Sequence, residues 1–127
     1  MRILVTGGCG YIGSHSIVEL IGEGFEVVII DNQSNSKKEV VQNISKVTNH
    51  SISEYHNIDL RDINALRLAI GDTQFSCVIH FAALKSIPES FNNALEYYDN
   101  NICGTINLLR VMKEKSIENI IFSSSAS

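Results

Sequence analysis

Three glycines near the amino terminus have the spacing of a phosphate-binding turn, Gly7-x-x-Gly10-x-x-Gly13. The turn follows an apolar run at residues 3–5 and precedes a helical pattern. In such a turn one glycine takes backbone angles closed to other residues, a second lets the main chain approach a pyrophosphate, and a third lets the helix pack close to the sheet. The free N–H groups at the start of the helix then face the anion.

A second chemical signal lies at the end of the next apolar run. Residues 26–30 form that run and Asp31 follows it. This is roughly 20 residues after the turn, where a carboxylate accepts a hydrogen bond from a ribose hydroxyl in dinucleotide-binding units. The carboxylate would repel the 2′-phosphate of NADP, and no arginine follows it in the loop. The pattern predicts an NAD site, and a glycine turn without a ligand is the alternative.

Composition limits the classes of partner. The chain has 127 residues, 44% hydrophobic and 19% charged, which is typical of one globular domain with a core. A net charge of -4 argues against a nucleic-acid surface, and no apolar run has the length of a membrane span. The three cysteines are far apart and form no Cys-x-x-Cys metal motif. We therefore expect no nucleic acid, membrane or metal partner and a reducing, cytoplasmic compartment.

Hydrophobic periodicity indicates strands that alternate with helices. Strands are predicted at 2–6, 26–31, 51–57, 76–81 and 119–123, and helices at 11–21, 38–48, 62–70 and 90–115. The last helix carries an apolar stripe of Phe91, Leu95, Tyr98, Ile102, Ile106 and Leu109. The alternation predicts an α/β fold, a Rossmann-type doubly wound parallel sheet with strand order 3-2-1-4-5. The ligand belongs at the carboxyl ends of strands one, two and four.

Longer segments carry a family resemblance. They lie at 7–15, 28–32, 78–85, 96–101 and 121–126, and the most specific are His-Phe-Ala-Ala-Leu-Lys at 80–85 and Tyr-Tyr-Asp-Asn-Asn at 97–101. The chain resembles the amino-terminal part of the UDP-glucose 4-epimerase family, in the extended short-chain dehydrogenase/reductase superfamily. The resemblance implies NAD-dependent interconversion of UDP-galactose and UDP-glucose through a 4-keto intermediate. Another NAD-dependent nucleotide-sugar epimerase or dehydratase, or a non-catalytic NAD-binding module, is the alternative.

The resemblance also implies which residues contact the cofactor. They are Gly7, Gly10, Tyr11, Ile12, Gly13, Asp31, Asn32, Asn35, Ser36, Asp59, Leu60, Phe81, Ala82, Ala83, Lys85, Asn100 and Ser123. Within this set the glycine turn would hold the pyrophosphate, and Asp31 would hold the adenosine ribose. Asp59 and Leu60 would flank the adenine, and residues 81–85 would line the nicotinamide side.

On the sugar side the resemblance implies fewer residues. Ile87, Pro88 and Glu89 would border the sugar nucleotide, and Ser125 would be the catalytic serine that hydrogen-bonds the sugar hydroxyl. Ala83 and Pro88 stand where the family has glycines.

The family's catalytic tyrosine and lysine, at Tyr-x-x-x-Lys spacing, are absent from residues 1–127. We therefore expect 1–127 to be an NAD-binding domain truncated after the fifth strand. The substrate domain would be missing, and the chain would be inactive alone. Family analogy implies a homodimer for the full-length protein, and the helix predicted from Ser90 is the expected interface element.

Overall fold

A parallel sheet carries the loops of interest. Among residues 1–37, 39–52 and 54–124, which the computed structural model describes, five strands form one sheet. The strands are β1 (Arg2–Thr6), β2 (Glu26–Ile30), β3 (Glu54–His56), β4 (Cys77–His80) and β5 (Ile120–Phe122). Their order is β3-β2-β1-β4-β5 and every neighbouring pair is parallel, which confirms the predicted fold class and strand order.

Helices cover both faces of the sheet. They are α1 (Tyr11–Gly22), α2 (Glu39–Thr48), α3 (Ile63–Ile70), α4 (Ile87–Asn92), α5 (Ala94–Tyr98) and α6 (Gly104–Glu114), with a π-helical turn at Asp99–Cys103. Alternate residues of β1 point to opposite faces, so Ile3 and Val5 pack with Ile17 of α1, while Leu4 packs with Leu108 of α6. None of the described helices combines the length and apolarity needed to cross a membrane.

The strand register brings three loops to one edge of the sheet. Thr6, the last residue of β1, pairs with Ile30 at the end of β2 and with His80 at the end of β4. Hydrogen bonds continue one residue beyond the strands, from Gly7 N to Ile30 O (2.8 Å) and from Phe81 N to Thr6 O (2.9 Å). The loops after β1, β2 and β4 therefore begin side by side.

The single helix predicted for residues 90–115 is wrong. The chain is helical from Ile87, breaks at Asn93 with φ −128° and ψ 42°, and resumes as α5, the π-helical turn and α6. The break falls at a pair of asparagines, residues with low helix propensity because their side chains compete for backbone hydrogen bonds. The π-helical turn includes another such pair, in which Asn100 donates to the Asn101 side chain and Asn101 bonds to Leu84 in the loop after β4.

The apolar stripe predicted for this segment does not face the core. Its residues are between 41% and 85% exposed: Phe91, Leu95, Tyr98, Ile102, Ile106 and Leu109. Helix α6 instead buries the face formed by Gly104, Leu108, Val111 and Met112. Helix α6 therefore carries apolar residues on two faces, one buried and one exposed. A 3.6-residue period alone cannot tell which of two apolar faces packs against the sheet.

Two glycines of α1 provide a matched test of the packing. A Cβ at Gly13 would overlap the carbonyl oxygen of Gly7, whereas a Cβ at Gly22 would meet no atom within 4 Å. Gly13→Ala should therefore lower the free energy of unfolding by about 1–3 kcal/mol, because the backbone must move. Gly22→Ala should leave it unchanged or raise it by up to about 1 kcal/mol. Denaturant unfolding of both variants checks this, and equal stabilities would contradict the close packing.

Candidate functional site

The glycine turn is closed on one side by the loop after β4. Gly7 has φ 69°, which L side chains rarely adopt, and a Cβ there would lie 2.5 Å from the backbone nitrogen of Ala82. Gly10 differs, because a Cβ there would meet only the carbonyl oxygen of Gly7, at 3.3 Å. Gly10 also lines an open cleft. The missing side chain of Gly10 therefore leaves room for a ligand, whereas that of Gly7 leaves room for the backbone of Ala82.

The first turn of α1 is open to an anion. The N-cap is Gly10, which has no side chain that could cap the helix, and the first turn contains no acidic residue. The first amides of a helix have no intrahelical partner, so those of Tyr11, Ile12 and Gly13 are left to solvent or to a ligand. All three residues line the cleft. This cradle fits the pyrophosphate predicted from the sequence.

Asp31 is held in place by the turn that it faces. Its side chain is largely buried, with the residue 8% exposed. The carboxylate accepts hydrogen bonds from Cys9 N (2.9 Å), Gln33 N (2.7 Å) and Ser36 Oγ (3.2 Å). A carboxylate has about four acceptor positions, so one is left for a hydroxyl donor from the cleft.

The cleft runs along the carboxyl edge of the sheet. It is lined by Gly7, Gly10, Tyr11, Ile12, Gly13, Ile30, Asp31, Asn32, Ser34, Asn35, Ile58, Asp59, Leu60, Phe81, Ala82, Ala83, Leu84, Lys85 and Asn100. The structure thus brings together every predicted cofactor residue except Ser36 and Ser123. Sequence reasoning missed Ile30, Ser34, Ile58 and Leu84, although each lies within two residues of a predicted one.

The two predicted residues outside the cleft lining lie close behind it. Ser36 donates a hydrogen bond to Asp31, so it supports the wall rather than forming it. Ser123 follows β5 and donates its backbone N–H to His80 O at 3.1 Å.

Asp59, in the lining of the cleft, is ionised. The Arg61 guanidinium donates to it through Nε (3.0 Å) and Nη2 (2.7 Å), and Asn32 Nδ2 donates at 3.1 Å. The Arg61 side-chain hydrogen bonds outweigh the opposing effect of burial and lower the pKa of Asp59 from 3.8 to about 2. The carboxylate therefore presents only acceptor oxygens.

His80 lies beneath the cleft in a buried polar chain. Its Nδ1 is 2.5 Å from Thr6 Oγ1, and its Nε2 is 2.9 Å from Thr105 Oγ1. The Thr105 hydroxyl donates its proton to Asn101 O at 2.7 Å, so its oxygen can only accept from His80. The neutral ring of His80 therefore carries its proton on Nε2. Burial, with a smaller contribution from the charge of Lys85, lowers the pKa of His80 to about 4. A structural role, which the apolar strand around His80 indicates, fits this arrangement.

The predicted sugar-side residues lie away from the cleft lining. Ile87, Pro88 and Glu89 form the exposed first turn of α4. Tyr97 fastens this turn, because its hydroxyl donates to Glu89 Oε2 and accepts from Ser86 N, both at 3.1 Å. Ser125, the predicted catalytic serine, lies outside the described residues. In the part of the chain that is described, no group of three His, Cys, Asp or Glu residues could hold a metal ion.

Comparison with known proteins extends these observations. The family described as GDP-mannose 4,6 dehydratase matches residues 4–127. The chain belongs to this family. Its similarity to UDP-glucose 4-epimerases confirms the resemblance seen in the motifs. It is 45% identical to UDP-glucose 4-epimerase 2 of Arabidopsis thaliana, over 98% of this chain and 36% of that protein.

Two further relatives show the extent of the match. The bifunctional protein gal10 of Schizosaccharomyces pombe is 50% identical over 98% of this chain, which spans 17% of that protein. The UDP-glucose 4-epimerase of Bifidobacterium longum, crystallised with NAD+ and UDP, superposes with a TM-score of 0.95 at 38% identity. That match covers 99% of this chain and 37% of the other. The chain therefore corresponds to the amino-terminal, sheet-forming part of much longer relatives.

The buried histidine generates a pH-dependent stability. Between pH 6.5, its ordinary pKa, and about 4, the unfolded chain binds a proton that the folded chain does not. His80 therefore stabilises the fold fully above pH 6.5, and this contribution of about 3 kcal/mol is lost as the pH falls to 4. His80→Asn should flatten the fall in unfolding free energy measured between pH 7 and 4.5.

The matched control is the exposed His50, whose ring Nδ1 lies 2.7 Å from Thr48 O at the end of α2. His50→Asn should keep the wild-type pH profile. A His80→Asn profile parallel to that of the wild type would contradict the assigned neutral state.

Proposed function

We propose that the cleft binds NAD and that residues 1–127 are the NAD-binding part of a UDP-glucose 4-epimerase. The observation that carries the proposal is the convergence of the uncapped start of α1, the buried Asp31 and the loop after β4 on one cleft. The NAD+ named with the Bifidobacterium longum enzyme, at a TM-score of 0.95, supports the same ligand here. A substrate domain would lie outside these residues.

Each part of the cleft suits one part of the dinucleotide. The amides of Tyr11–Gly13 would hold the pyrophosphate, and the remaining acceptor position of Asp31 would receive a ribose hydroxyl. Asp59 and Leu60 would flank the adenine. Residues 81–85 would line the nicotinamide side, and Asn100 would face the same site.

The proposed reaction inverts the configuration at C4 of the sugar. Bound NAD would supply an acceptor for the C4 hydride, which returns to the other face of the 4-keto sugar. The proton of the 4-hydroxyl must leave at the same time, and in the family a tyrosine beyond these residues takes it. Ser125 would hydrogen-bond the sugar hydroxyl beside that tyrosine and hold it for proton transfer. Phe81 and Ala82 would cover the nicotinamide side and exclude water from it.

A second candidate is supported by the family description, GDP-mannose 4,6 dehydratase. A dehydratase would use the same cofactor cleft but would remove the elements of water from the sugar. A module that binds NAD without turnover is the third candidate. Products separate the three, because an epimer has the mass of the substrate, a dehydrated sugar is lighter, and a module makes neither.

The exposed apolar stripe supports a homodimer as part of the proposal. Phe91, Leu95 and Tyr98 are 83%, 85% and 63% exposed on neighbouring turns of α4 and α5. Exposed large apolar side chains grouped in one segment are typical of an interaction site. Light scattering on the protein at its full encoded length distinguishes one copy from two.

Cofactor choice should follow the charge of Asp31. The protein should bind NAD at least about tenfold more tightly than NADP, because a carboxylate repels a 2′-phosphate at close range. Asp31→Asn should narrow that ratio. Asp62→Asn is the matched control, since Asp62 caps α3 through Asn64 N and Ala65 N. Titration of both dinucleotides checks this, and tighter binding of NADP to the wild type would refute it.

Turnover tests the proposed reaction directly. The protein at its full encoded length should convert UDP-galactose to UDP-glucose. Chromatography of the products measures this conversion. Ser125→Ala should lower the rate about a hundredfold and leave NAD bound, because its hydrogen bond acts on the sugar in the transition state. Undiminished turnover would remove Ser125 from catalysis, and a dehydrated product would favour the second candidate.

A further inference from the structure

Arg61 stands beside the cleft at the centre of an ion-pair cluster. It follows the cleft residues Asp59 and Leu60 but is not part of the lining. Its guanidinium contacts three carboxylates, those of Asp59, Glu96 and Asp99. The side chain is 31% exposed, so the cluster is partly withdrawn from water.

The inner half of the cluster fixes Asp59. Oδ1 of Asp59 accepts from Arg61 N (2.9 Å) and Arg61 Nε (3.0 Å), and Oδ2 accepts from Arg61 Nη2 (2.7 Å) and Asn32 Nδ2 (3.1 Å). Parallel bonds from Nε and Nη2 form a fork that sets the plane of the carboxylate as well as its position. Lysine, with a single ammonium group, cannot make this fork.

The outer half of the cluster fixes Arg61 itself. Its Nη1 donates to Glu96 Oε1 at 2.7 Å and to Asp99 Oδ2 at 3.2 Å. Glu96 belongs to α5 and Asp99 begins the π-helical turn, whose next residue, Asn100, lines the cleft. The guanidinium therefore ties the loop after β3 to the segment that follows the loop after β4.

The held carboxylate has a chemical consequence for a base in the cleft. Asp59 keeps 29% of its side chain exposed and lines the cleft as an ionised, acceptor-only group. An amino group that approaches it can donate a hydrogen bond, whereas a carbonyl oxygen at the same position meets repulsion. The preference depends on the carboxylate keeping its orientation.

We infer that Arg61 is a positioning residue that sets the base preference of the cleft through Asp59. The ligand class is a dinucleotide whose purine carries an amino group, as adenine does, in preference to one that carries a carbonyl, as hypoxanthine does. The inference rests on the proposed NAD site and on its placement of the base beside Asp59. A purely structural ion pair would influence stability without influencing this preference.

The test is a competition between two dinucleotides. The protein at its full encoded length is equilibrated with equal concentrations of NAD and nicotinamide hypoxanthine dinucleotide, and the bound nucleotides are quantified after gel filtration. The wild type should hold NAD in about tenfold excess or more, the effect of one hydrogen bond to a charged group. Arg61→Gln should bring the ratio to within about twofold of unity, and Arg61→Lys should give an intermediate value.

Arg67 supplies the matched control. It makes the same kind of fork, from Nε and Nη2 to Glu114 at 2.8 and 2.7 Å, but lies outside the cleft lining. Arg67→Gln should keep the wild-type ratio even if it lowers the melting temperature by as much as Arg61→Gln does. This separates an effect on base preference from an effect on stability.

The outcomes distinguish the inference from the proposal beneath it. A wild-type ratio that Arg61→Gln leaves unchanged overturns the role of Arg61 and leaves the NAD site intact. A wild type that holds both dinucleotides equally overturns the placement of the base, and one that binds neither overturns the proposed function. If Arg61→Gln does not fold, the same competition is measured with Arg61→Lys. An Arg61→Lys ratio equal to that of the wild type then overturns the inference.

Discussion

The backbones of Gly7 and Ala82 lie so close that no side chain fits between them. A Cβ at Gly7 would stand 2.5 Å from Ala82 N, and the positive φ of Gly7 excludes most other residues independently. This contact fixes the start of α1 against the loop after β4. The residues that precede this contact are joined as well, because His80 at the end of β4 is hydrogen-bonded to Thr6 of β1 and to Thr105 of α6. The shape of the cleft follows from these two layers of contact.

The polar walls of the cleft are held by hydrogen bonds within the protein. The Asp31 carboxylate is oriented by amides of the glycine turn and of its own loop, and Asp59 is oriented by Arg61. Both carboxylates are held by donors, so neither must reorganise to receive a donor from the cleft. Such preorganisation lowers the entropic cost of binding. The cleft thus offers amides at its centre for an anion and fixed acceptors along one wall for hydroxyl or amino groups.

Local pattern and strand order determined what the sequence could predict. Local patterns predict the parallel sheet and part of the cleft. They are the spacing of Gly7, Gly10 and Gly13 and the apolar run before Asp31. They suffice because the carboxyl ends of parallel strands lie at the same edge of a sheet. The helix after Ser86 was mispredicted because Asn93 and the π-helical turn interrupt its period. The ion pairs of Arg61 with Glu96 and Asp99 have no local signature, since those two residues lie more than thirty residues away in the chain.

The central claim is that NAD lies in this cleft in one orientation, and a crystal structure of the protein at its full encoded length with NAD tests it most directly. The account predicts the pyrophosphate over the amides of Tyr11–Gly13, a ribose hydroxyl on Asp31, the adenine beside Asp59 and the nicotinamide toward Lys85. A dinucleotide bound in the reverse direction, or bound outside the cleft, would contradict it.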